Sequence, residues 1–131
     1  MMDTSALVAA LIEDHEHHSI SRRHLTSSTR LAAIVLAETF AQLRRTFGQS
    51  TATASAVLRP WTDASKDILP TTARAVSATF ARAVELDLGG NIHDALIAQV
   101  CADHDVALVT LDGRQHRLAL ALGVRSTYLL A

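Results

Sequence analysis

Two carboxylates in the segment Asn91 to Gln115, NIHDALIAQVCADHDVALVTLDGRQ, have the types and spacing to act together. Asp94 opens an apolar helical run, and Asp112 closes the apolar run Val106 to Leu111, which reads as a parallel strand buried on both faces. A helix from about Asp94 to Asp103 carries the chain roughly 15 Å one way, and a strand from about Val106 to Leu111 brings it back roughly 20 Å. Both acids then fall at the edge where strands end, the edge where open α/β sheets bind their ligands. Each also has a local role open to it, because Asp caps helices and turns the chain after strands. For Asp94, the i, i+3, i+7 spacing with Ile97 and Cys101 sets the carboxylate at the border of the core-facing side.

Asp3 has a similar address, at a strand-to-helix corner in which Asp3-Thr4-Ser5 precedes the apolar helix SALVAALI. The short polar triplet suits a helix cap, and a helix N-terminus also suits phosphate. Were these acids to converge, two unit negative charges about 4 Å apart would repel by about 4 kcal/mol at an effective dielectric of about 20. A cluster of that kind needs a cation or protons. An all-carboxylate donor set without His or Cys points to Mg²⁺ or Mn²⁺ over zinc. Such an ion at the end of a parallel sheet suits phosphodiester hydrolysis, where it lowers the pKa of a bound water and stabilises the attacking and leaving oxygens.

The elements that must hold these acids follow from periodicity. The first strand is nearly absent, with only Met1 and Met2 before Asp3. Thr29 to Ala32 reads as a short strand, followed by a helix whose core stripe is Leu36, Phe40, Leu43 and Phe47 and which Gly48 ends. On this helix Glu38 stands opposite the stripe in line with Gln42 and Arg45, and by itself it reads as solvated surface. Ser50 to about Arg59 is a helix with Pro60 near its end, and Trp61 reads as a packing or dimer-contact residue. Asp67 to Thr71 is a short extended piece or edge strand. Thr72 to Leu88 reads as an amphipathic helix turning Val76, Phe80, Ala83 and Val84 inward, with Gly89-Gly90 as its stop. A last helix from Arg114 to Leu122, stopped by Gly123, precedes a closing strand from Val124 to Leu130. Strands alternating with helices predict a three-layer α/β domain, a central parallel sheet flanked by helices, over residues 1–131 as a single domain.

Composition narrows the classes. Hydrophobic residues at 49% and charged residues at 19% belong to a globular chain. No apolar run reaches the ~18 residues of a membrane helix and no signal peptide opens the chain, so a cytoplasmic location without a membrane partner is expected. Cys101, the single cysteine, reads as a packed thiol. A net charge of −1 excludes a simple basic glove for nucleic acid. Of the 12 basic residues only Lys66 is a lysine, and local Arg clusters suit phosphate guidance. His15, His17, His18 and His24 tempt a zinc reading, but Ser19 stands where an H-E-x-x-H helix needs its second His, and these residues read as a solvated helix start.

Four pieces in register carry a resemblance: Asp3-Thr4-Ser5-Ala6-Leu7, Leu36-Ala37-Glu38, His93-Asp94-Ala95-Leu96-Ile97-Ala98 and Val109-Thr110-Leu111-Asp112. The chain resembles PIN-domain ribonucleases, and more narrowly the VapC-type toxins of bacterial toxin–antitoxin pairs. The resemblance implies that Asp3, Glu38, Asp94 and Asp112 form an acidic quartet that binds Mg²⁺ or Mn²⁺ and activates water for RNA cleavage. It implies that Thr4, Ser5 and Thr110 orient the acids or contact the phosphate of the substrate. It also implies a homodimer and an antitoxin protein that blocks the groove. The chain departs from the family pattern at Gln115, where an aromatic residue is frequent. A phospho-receiver domain would need a late-strand lysine, and a haloacid-dehalogenase-type phosphatase an Asp where Ser5 stands. The remaining alternative is a PIN-fold module that binds RNA or protein without cutting.

Overall fold

The computed structural model describes residues 1–88 and 91–131. Helices α1 (Thr4–Leu11) and α2 (His18–Arg22) precede strand β1 (Leu31–Ala32), which runs directly into α3 (Ala33–Arg45). Helix α4 (Thr51–Thr62) and a single 3-10 turn lead to β2 (Ile68–Leu69) and α5 (Ala73–Ala83). The second half is α6 (Ile92–Asp103), β3 (Leu108–Thr110), α7 (Gly113–Ala121) and β4 (Ser126–Tyr128). The expected stop at Gly89-Gly90 lies outside the described residues.

Every strand pairing is parallel, as the α/β reading requires, but the ladders are shorter than the apolar runs. Among the described residues β1 pairs with β2 and β3 with β4, as two separate two-stranded ladders. The residues before α1 join the second ladder through one bridge, Met2 to Val109. Its hydrogen bonds run from Asp3 N–H to Val109 O at 3.0 Å and from Val109 N–H to Met1 O at 2.8 Å. Strand β3 thus lies between the chain start and β4, and Asp3 emerges beside its end.

Local chemistry explains the brevity. Pro70 follows β2 and has no N–H for a ladder. Strand β3 stops at Thr110 because side chains take the next two N–H groups: Leu111 N–H donates to Ser5 Oγ at 3.1 Å and Asp112 N–H to Thr110 Oγ1 at 2.9 Å. The chain therefore leaves the sheet where the acids gather.

Met2, Leu7, Leu31, Val35, Ile97, Val100 and Leu108 are fully buried and bind the layers into one core. Cys101 is buried with them, and burial pushes its thiol up to about 11. Trp61 packs into the same core and its Nε1 donates to Thr29 O at 2.8 Å. Helix α4 runs past Pro60 in its last turn, where the ring removes the N–H that would otherwise bond the Ala56 carbonyl. Helix α5 departs from its predicted phase. Ala75 and Thr79 are buried, whereas Phe80 is 63% and Val84 91% exposed. The covered face is one residue, roughly 100° at ~3.6 residues per turn, from the expected stripe. His15, His17 and His18 are half-buried, not solvated, and the His18 ring nitrogen Nδ1 bonds with Ala9 O at 2.9 Å. Among the described residues no helix is long and apolar enough to cross a membrane.

Candidate active site

Asp3 caps α1 with extended backbone angles, and its carboxylate is nearly saturated. Oδ1 accepts from Ala6 N–H at 2.9 Å and from the Ser5 hydroxyl at 2.8 Å, and Oδ2 accepts from the Thr110 hydroxyl. A carboxylate offers about four acceptor positions, so one remains open, on Oδ2. The residue is 4% exposed. Burial pushes its pKa up to about 6, against the hydrogen bonds from Thr110, Ala6 and Ser5, and the Asp112 charge adds to the rise.

Asp112 caps α7, with Oδ1 accepting from Arg114 N–H at 2.8 Å and Gln115 N–H at 3.4 Å. The Arg114 guanidinium Nε stands 3.9 Å from the same oxygen. Asp94 lies in the first turn of α6, half-buried, with Ile97 and Cys101 buried along the helix below it as their spacing requires. Its carboxylate is held by no hydrogen bond from the described residues. Burial raises its pKa most, the Asp112 and Glu38 charges raise it further, and Arg114 and His93 oppose them. The effect of Asp112 and Glu38 on Asp94 is the electrostatic sign of a shared site.

Glu38 is where the surface reading of helix α3 fails. Val35, Leu36 and Thr39 are buried around it, which turns its side chain toward α1 and α6. Oε1 accepts from the Thr4 hydroxyl at 2.7 Å, and Oε2 lies 3.5 Å from His93 Nδ1. All three hydroxyls named from the sequence therefore turn to acids, Thr4 to Glu38 and both Ser5 and Thr110 to Asp3.

The four carboxylates line one cavity of about 140 Å³ together with Gln42, Ile97 and Gln115. At about 30 Å³ per water, it has room for an ion and a few waters. Among the described residues three larger cavities, about 400, 360 and 330 Å³, lie elsewhere, the first between Leu11, Leu43 and Val57, the second beside Trp61 and the third beside Arg82, Leu86 and Leu122. Their few charged residues form no convergent set, so size is outweighed here by chemistry. Among the described residues no three His, Cys, Asp or Glu side chains enclose an ion as they stand. The donor set nonetheless fits a hard divalent cation: it is all oxygen, its charges disfavour one another, and Asp94 and Asp3 retain open acceptor positions.

Gln42, His93 and Gln115 stand at the site beyond the residues expected there from the sequence. Gln42 follows Glu38 by one helical turn, and His93 precedes Asp94, so both were within reach of the spacing argument. Gln115 stands out in the sequence only as a departure from the family pattern, because a glutamine in a first helical turn reads as solvated, and this one is buried. The sequence profile of the PIN domain family matches residues 1–120. No curated protein matches the chain.

Proposed function

Since the chain belongs to the PIN domain family and so carries a nuclease-type module, we propose that it is a metal-dependent endoribonuclease acting as the toxin of a toxin–antitoxin pair. The observation that carries this reading is the convergence of Asp3, Glu38, Asp94 and Asp112 on one cavity from four separate elements. Asp94, Glu38 and Asp112 would hold Mg²⁺ or Mn²⁺, with Asp3 offering its one open position. When bound, the ion supplies a Lewis acid that lowers the pKa of water and stabilises charge on phosphate oxygens.

The chain's own residues do the rest. Ser5 and Thr110 fix the Asp3 carboxylate, and Thr4 fixes that of Glu38, so two of the four acids are oriented before any ligand arrives. Arg114, exposed at the rim beside Asp112, offers a guanidinium to a phosphate of the RNA strand. The toxin role, an antitoxin partner, a homodimer and action in the cytoplasm follow the resemblance to VapC-type toxins.

The test is cleavage of RNA by purified protein free of any antitoxin. Cutting in Mg²⁺ or Mn²⁺ that stops with EDTA supports the nuclease. Protein that binds RNA and never cuts it is instead a binding module on a PIN fold. Inhibition by a protein encoded beside it supports the toxin assignment.

A further inference from the structure

Gln115 lies in the first turn of α7, three residues after Asp112, and is 1% exposed. Its backbone N–H faces Asp112 Oδ1 at 3.4 Å, and its side chain crosses to α6, where Nε2 donates to the Asp94 backbone carbonyl at 3.0 Å. One residue therefore meets the carboxylate of one acid and the main chain of another, and it lines the cavity with both. Asn91 at the start of that helix makes no side-chain cap of its own.

The other end of the amide is unusual. Oε1 is buried and has no hydrogen-bond partner among the described residues. Its identity is fixed by its neighbour, because a carbonyl can accept only from the amide nitrogen. A buried acceptor without a donor destabilises the fold, and an apolar side chain of the same length would remove that penalty. Packing alone does not account for a glutamine here.

We infer that Gln115 is a positioning residue of the acidic site, its amide tying the first turns of α6 and α7 together and so setting where Asp94 stands relative to Asp112. The inference rests on the reading of the cavity as a divalent-cation site. Gln115 acts through Asp94, by its hydrogen bond to that residue's backbone carbonyl.

The substitution that separates positioning from packing is Gln115→Met, which keeps length and removes the amide. Thermal unfolding of EDTA-treated protein and Mn²⁺ titration followed by electron paramagnetic resonance provide the two readouts. The expected result is a melting temperature equal to or above that of the wild type, with the Mn²⁺ dissociation constant raised about tenfold or more, as loss of an outer contact to a ligand does. Gln115→Leu repeats the test if the Met variant does not fold. Unweakened Mn²⁺ binding in the variant overturns the inference, and so does weaker binding accompanied by a lowered melting temperature, which would make the amide a structural contact only. Wild-type protein that binds no Mn²⁺ overturns the cation reading, and the inference with it, and is told apart from the other outcomes without any variant.

Discussion

The Thr4 hydroxyl donates to Glu38 Oε1 at 2.7 Å across 34 residues of chain. This bond joins the first turn of α1 to the middle of α3 and brings a helix-surface acid into the cavity shared with Asp3, Asp94 and Asp112. Thr4→Val keeps the shape of a buried side chain and removes the donor. It is expected to lower stability by about 1 kcal/mol and to weaken Mn²⁺ binding by roughly tenfold, as read by urea unfolding and Mn²⁺ titration. Unchanged affinity would mean that Glu38 is placed by other contacts.

Asp3 gives the protein a pH dependence of definite sign. Its carboxyl is raised from 3.8 to about 6, mainly by burial. As pH rises between those values the unfolded chain loses a proton that the folded chain keeps, so the metal-free protein becomes less stable, by up to roughly 3 kcal/mol above the folded pKa. Asp94, also raised chiefly by burial, slopes the same way. Urea unfolding in EDTA at pH 5 and pH 7 is expected to show the lower stability at pH 7. Asp3→Asn should shrink that difference, since the amide keeps the cap and cannot ionise. An Asp3→Asn variant with the full wild-type pH dependence would contradict the assignment.

A divalent cation should relieve the same charge. With Mn²⁺ at about 100 times its dissociation constant, linkage adds roughly 2.7 kcal/mol of stability, seen as a rise of several degrees in melting temperature that EDTA reverses. Asp112→Asn is expected to abolish most of the rise.

The altered phase of α5 predicts an unequal pair of core effects. Leu108, fully buried in β3, should cost about 2–5 kcal/mol when changed to Ala. Phe80→Ser, at a side chain 63% exposed, should change the stability of the monomer by no more than about 0.5 kcal/mol. A large loss at Phe80 would restore the inward stripe expected from periodicity.

These residues also mark how far the sequence could be read. Asp94 and Asp112 were legible because a helix and a returning strand are rigid rods of known rise, so their ends can be placed without knowing the core. Glu38 was legible only through the resemblance to PIN-domain ribonucleases, because its position depends on a hydrogen bond to a residue in a distant element, and periodicity around it described only a half-apolar helix. The phase of α5 failed for a related reason. A stripe of apolar residues shows which face prefers burial, and the neighbouring α6 covers Ala75 and Thr79, small residues that allow close approach. Strand lengths were overestimated where Ser5 and Thr110 capture backbone N–H groups, a competition that hydrophobic runs do not record.

Asp94 is the acid least occupied by the protein itself, half-buried and raised in pKa by burial and then by Asp112 and Glu38. Single-turnover cleavage of RNA by wild-type and Asp94→Asn proteins in Mn²⁺ therefore tests the central claim most directly. The expected result is a loss of at least about 10²-fold in the rate of cleavage, with an unchanged fold by circular dichroism. Cleavage by Asp94→Asn at the wild-type rate would contradict the account.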